Sequence, residues 1–124
     1  AYNANPASVT AALDALATLP VDGRRIAVLG AMRELGEHSD EAHAAVGRHA
    51  AALGIDVLLG VGAEGRKITE AAGGVATVGT VPDADAALTA LRDVLGPGDA
   101  VLVKASRAVG LERVAAALVE EAGR

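Results

Sequence analysis

A chain of 124 residues carrying a formal charge of −5 has room for one domain with a real core, and it is small for a complete multi-substrate enzyme. The acidic balance, with no basic stripe, excludes a general nucleic-acid binder, and the absence of cysteine excludes a disulfide framework, thiol chemistry and thiolate-held zinc. No apolar run is long enough to span a bilayer and none reads as a secretory leader, so a soluble cytoplasmic protein with no membrane partner is expected.

The richest polar cluster, Tyr2-Asn3-Ala4-Asn5-Pro6, stands where a natural end would fray, which leads us to expect a fragment of a longer protein. Asn5 suits a helix N-cap and Pro6 the first helical position. Capping leaves Tyr2 and Asn3 without a role, and Tyr2 is the only aromatic residue in the chain, so both are candidate ligand contacts. A helix is predicted over 6–19, with Val9, Ala12, Leu13, Leu16 and Leu19 near one face and Pro20 and Asp22-Gly23 ending it. Residues 25–29 read as a buried strand. Ser39 is the predicted N-cap of a helix running to about Leu53, with Asp40 and Glu41 in its first turn and Gly54 as its left-handed stop. Strand two is placed at 55–59, a short helix at 64–72 and strand three at 75–78. A helix at 83–95 ends at Gly96-Pro97-Gly98, strand four takes 100–103, and a last helix covers 111–121.

Strands that are apolar without alternation are expected where helices cover both faces of a sheet. The fold class is therefore α/β: a three-layer, Rossmann-like, open and mostly parallel sheet, with residues 1–124 as a single domain. Ligands of such sheets sit beyond the carboxyl ends of the strands, which directs attention to the loops after Leu29, Leu59, Val78 and Val103.

Gly60-Val61-Gly62-Ala63-Glu64-Gly65 fits G-x-G-x-x-G after a strand, and Asp83 lies at about the distance expected of a ribose-binding acid. In a chain with 15 glycines a chance match is equally open, and Asp83 also reads as a helix cap. The same segment is not a Walker loop, because Lys67 comes one place late and Ile68 stands where Ser or Thr would hold magnesium. The connector from Gly30 to Ser39 carries Arg33, Glu34, Glu37 and His38, and reads either as a solvated turn or as a ligand-facing loop. His43 and His49, six apart, do not share a helical face and read as surface or packing residues. After strand four, Lys104-Ala105-Ser106-Arg107 gathers an ammonium, a hydroxyl and a guanidinium suited to a carboxylate or phosphate. The plainer alternative pairs Arg107 with Glu112.

Taken together, YNANPAS at 2–8, RRIAVLGAMRELGEHSDEAH at 24–43 and VLVKASRAVGLERV at 101–114 resemble the C-terminal domain of the Mur ligases. The resemblance covers nearly the whole chain, with the three segments in the family's order and spacing. The family's pattern differs in carrying Asp at the position of Ala31 and Gly at that of Ala105, so this loop lacks one carboxylate while Glu34 remains nearby.

The resemblance implies an ATP-dependent carboxylate–amine ligase of peptidoglycan precursor synthesis. The asparagine-rich opening points to the branch that adds D-Ala-D-Ala to UDP-N-acetylmuramoyl-tripeptide. ATP and magnesium would be held mainly by a central domain upstream, and the sugar nucleotide by an N-terminal one. The implied nucleotide contacts here are Tyr2, Asn3 and Asn5. The implied contacts to the dipeptide carboxylate or to developing phosphate charge are Lys104, Ser106 and Arg107, with Arg33 as a further candidate. No catalytic residue is expected on this domain alone. A stand-alone nucleotide-binding domain using Gly60 to Gly65, or a Mur ligase adding a different amino acid, are the alternatives.

Overall fold

The computed structural model describes residues 4–105. Asn5 starts the first helix through a reciprocal cap: its Oδ1 accepts the Ser8 N–H at 2.9 Å, and Ser8 Oγ accepts the Asn5 N–H at 3.1 Å. With Pro6 at the first helical position, this defines α1 (Pro6–Thr18), which buries Val9, Leu13 and Leu16. Strand β1 (Arg25–Leu29) follows, then a 3-10 turn (Gly36–His38) and α2 (Ser39–Ala52). Next come β2 (Val57–Val61), α3 (Gly62–Glu70), β3 (Thr77–Val81), α4 (Ala84–Val94) and β4 (Ala100–Lys104). Asp83 caps α4 by accepting the Ala86 N–H at 2.8 Å.

All four strands are parallel, in the order β3-β2-β1-β4. Side chains alternate across β1 and β2: Ala27, Leu29 and Leu58 pack with α1, α2 and Ile68 of α3, whereas Ile26, Val28, Val57 and Leu59 pack with Ala84, Ala87 and Leu91 of α4. Helices thus lie on both faces, as the sequence leads one to expect. The predicted helix at 111–121 falls outside the described residues.

Two strands, one helix and one cap depart from the sequence reading, the helix being α3, which starts at Gly62 straight after β2 and ends at Glu70 instead of covering 64–72. Strand two begins at Val57 because Ile55 and Asp56 close the preceding turn: the Ile55 N–H donates to Ala50 O, and Asp56 Oδ2 accepts the Arg25 N–H at 2.8 Å. Val75 likewise closes the end of α3 by donating to Ala72 O, so strand three begins at Thr77. It is an edge strand and mostly exposed, with Val78 42% accessible. Ser39 is not a cap, because the 3-10 turn runs straight into α2 with its own backbone bonds.

At the amino ends of β1 and β4 the loops around Gly23 and Gly98 are tied together by Asp99. Its carboxylate accepts the Arg24 N–H at 2.7 Å and the Gly96 N–H at 2.8 Å, with the Arg24 guanidinium 3.6 Å away. These bonds, the Arg24 amide first, hold the Asp99 carboxyl below the ordinary aspartate range. A depressed folded pKa stabilises the fold above the unfolded value and ceases to do so as pH falls through the folded one. Asp99→Asn is therefore expected to lower the thermal midpoint at pH 7, with the gap to wild type closing as the pH drops below about 4, as a pH series of melts would read.

Candidate functional site

From β1 the chain steps outward to β2 and β3, and β4 then returns to the opposite side of β1. The order reverses at the β1–β4 pair, and a parallel sheet opens its ligand crevice beyond the carboxyl ends of the strands at such a point. Lys104 is the last residue of β4, in register with Leu29, and its carbonyl accepts the Gly30 N–H at 3.1 Å. Its half-buried side chain makes no ion pair among the described residues.

The Asn5 end of α1 belongs to the same edge. Arg25, at the start of β1, donates from Nε to Leu16 O at 3.0 Å and from Nη2 to Leu19 O at 2.6 Å, which ties the end of α1 to the opposite, amino edge of the sheet. The helix therefore returns along the strand, and its capped start lies toward the carboxyl edge. The Asn5 side-chain oxygen is occupied by the cap. Tyr2, Asn3, Ser106 and Arg107 lie outside the described residues.

Arg33 occupies the connector leaving β1 at that edge, exposed and without an ion pair among the described residues. The connector is fixed from beneath. Met32 is buried and its N–H donates to Nε2 of His43 at 2.9 Å, while Nδ1 of His43 lies 2.7 Å from Ser39 O and 3.5 Å from Glu64 Oε2. Ser39 Oγ reaches the same Glu64 oxygen at 3.3 Å, and Lys67 bridges Glu64 and Asp40. Hydrogen bonding between Lys67 and Asp40 lowers the Asp40 pKa and raises that of Lys67. His43 is thus a packed residue, as its position on the helix implies, yet it also anchors the loop. The sequence carries half of that signal in the Ser39 to His43 spacing of one helical turn; the bond to Met32 depends on how α2 docks.

Gly60 to Gly65 form no loop. Gly60 and Val61 are buried residues of β2, and α3 starts at Gly62 directly afterwards. A Cβ on Gly60 would stand 2.3 Å from Gly65 O, so these two glycines let α3 lie against β2. Asp83 serves as the α4 cap. A groove of about 590 Å³ does open beside the start of α3, lined by Gly62, Ala63, Arg66, Thr80, Val81 and Pro82. Among the described residues no helix is long and apolar enough to cross a membrane, and no group of three acidic or histidine side chains is placed to hold a metal ion.

The fold is an open parallel α/β sheet, and the chain belongs to the family described as Mur ligase, glutamate ligase domain, whose pattern matches residues 1–107. More particularly, it is 46% identical over 142 residues to the UDP-N-acetylmuramoyl-tripeptide–D-alanyl-D-alanine ligase of Mycobacterium tuberculosis (strain CDC 1551 / Oshkosh), covering 98% of this chain and 28% of that protein. The ligase of the same description from Escherichia coli (strain K12) is 41% identical over 122 residues, covering 96% of this chain and 26% of its own length. Among solved structures, MurF from Acinetobacter baumannii superposes with a TM-score of 0.83 at 31% identity, covering 96% of this chain and 27% of that one. The MurF ligase from Thermotoga maritima in complex with ADP gives 0.75 at 34% identity, covering 91% and 25%. The chain spans little more than a quarter of the length of these relatives.

Proposed function

We propose that this chain is the C-terminal domain of a three-domain, ATP-dependent ligase that joins D-Ala-D-Ala to UDP-N-acetylmuramoyl-tripeptide in the cytoplasm. In this reading the tripeptide carboxylate attacks the γ-phosphorus of ATP, ADP leaves, and an acyl phosphate forms. The dipeptide amine adds to the acyl carbon, and the tetrahedral intermediate loses its proton and expels phosphate to leave the amide. The observation that carries the reading is Lys104 at the end of β4, at the β1–β4 crevice, with the Arg33 loop and the start of α1 on the same edge. ATP and magnesium would be held mainly by the central domain; magnesium would offset charge on the phosphates.

Lys104, Ser106 and Arg107, with Arg33, would bind the dipeptide carboxylate or charge building on the phosphoryl group. Tyr2, Asn3 and Asn5 would meet the nucleotide. Donors that arrive only when the domain closes act in a drier site and complete it only with all substrates bound. For Asn5 the cap and the ligand role separate. Asn5→Ala is expected to lower stability by about 1 kcal/mol. Asn5→Asp keeps the capping oxygen and the melting temperature and weakens nucleotide binding by repulsion, readable by titration with ADP.

The reading is tested in the full-length ligase by phosphate release from ATP. Release that requires both the UDP-tripeptide and D-Ala-D-Ala is the expected result. Release with a single amino acid in place of the dipeptide would assign the chain to another Mur ligase, and no release with any acceptor would reject the reading.

A further inference from the structure

We propose that His43 is a positioning residue, holding the connector between β1 and α2 in the conformation that presents Arg33 at the ligand edge. The inference rests on the reading of that edge as the dipeptide end. His43 is wholly buried and both of its ring nitrogens are engaged. A carbonyl can only accept, so the 2.7 Å contact with Ser39 O places the proton on Nδ1. A backbone amide can only donate, so the 2.9 Å contact with Met32 leaves Nε2 bare. The ring is held in one neutral tautomer, with its acceptor aimed at the Ala31–Met32 peptide, one residue ahead of Arg33. Glu64, 3.5 Å from Nδ1, and Ser39 Oγ, 3.3 Å from it, restrain the ring on the other side.

The connector needs such an anchor. Glu34 sits at φ +63°, a conformation an L-residue adopts only when its surroundings impose it. On one side the buried Met32 side chain and its bond to His43 fix the backbone, and on the other the His38 N–H donates to Leu35 O at 3.0 Å. Arg33 and Glu34 are the two exposed residues between these fixed points. Without the His43 acceptor, the Met32 N–H would be a buried donor with no partner, and the connector would relax toward water to satisfy it.

Two amide side chains separate this role from simple packing. Gln at position 43 can bring its carbonyl oxygen to where Nε2 lies and accept from Met32. Asn ends near the place of Nδ1, reaching Ser39 but not Met32. In the full-length ligase, His43→Asn is expected to speed hydrogen exchange at the Met32 amide about tenfold. It should raise KM for D-Ala-D-Ala by a similar factor, with KM for ATP unchanged, and His43→Gln should restore both to near wild type. Equal protection of Met32 in all three proteins would overturn the proposal, as would equal loss in folded Gln and Asn variants. Should the Asn variant fail to fold, the Gln variant decides: native protection at Met32 supports the role, and lost protection in a folded protein rejects it. If wild type shows no dipeptide-dependent turnover, the functional reading fails, while the exchange comparison still decides whether His43 holds the loop.

Discussion

Gly65→Ala is expected to lower the melting temperature by about 10 °C or more, or to prevent folding, with no ligand involved. A Cβ at position 65 would stand 2.5 Å from Gly60 C and 2.9 Å from Gly60 Cα. Neither backbone can withdraw easily: Gly60 is in register with Leu29 on one side and Thr80 on the other, and α3 is packed through Ile68 into the core. Overpacking against main-chain atoms costs about 3 kcal/mol or more, at the severe end for a single methyl group. Gly62→Ala provides the contrast. Its φ of +76° strains an L-residue, but the nearest atom to the new Cβ is Pro82 O at 3.9 Å, so the loss should stay near 1 kcal/mol. A phosphate loop predicts the same loss of fold at Gly65, since the third glycine of that fingerprint also serves helix–strand packing, and adds a loss of nucleotide binding at Gly62, so titration of a folded Gly62→Ala protein with nucleotide separates the two accounts. A Gly65→Ala protein melting within a degree or two of wild type would reject the packing account.

That contrast also shows where the sequence is ambiguous. Glycine spacing states that backbones come close, and a helix against a strand satisfies it as well as a pyrophosphate does. The placement of α1 and β1 was legible because Asn5, Pro6 and Pro20 punctuate the helix and Arg25 to Leu29 is an uninterrupted apolar run after one arginine. Strands two and three begin two residues later than the apolar runs that start at Ile55 and Val75. Ile55 and Val75 carry the apolar signal of a strand while packing into the core from a turn, and periodicity alone does not separate those uses. The carboxyl edge could be named in advance, since a parallel sheet determines which loops share an end. The anchoring of the Arg33 loop could not, because the Met32 to His43 bond forms only after α2 has docked.

The second large effect is expected at Lys104. Replacing it with methionine keeps the aliphatic stem at a half-buried strand end and removes only the charge. A hydrogen bond to a charged group contributes about 1.5–3 kcal/mol, so kcat/KM for D-Ala-D-Ala in the full-length ligase should fall about 10- to 100-fold. The melting temperature should hardly move, since among the described residues no acid pairs with this ammonium. The division between kcat and KM then tells which negative charge Lys104 meets. A rise in KM for the dipeptide alone places it on the ground-state carboxylate, whereas a fall in kcat with KM unchanged places it on charge that develops as phosphate departs. Lys104→Arg discriminates further. A guanidinium retains the charge but spreads it over a planar fork, so partial recovery is expected if the contact is a point charge on a carboxylate oxygen. Unaltered kinetics in Lys104→Met would remove Lys104 from the site and leave the crevice to residues beyond Ala105.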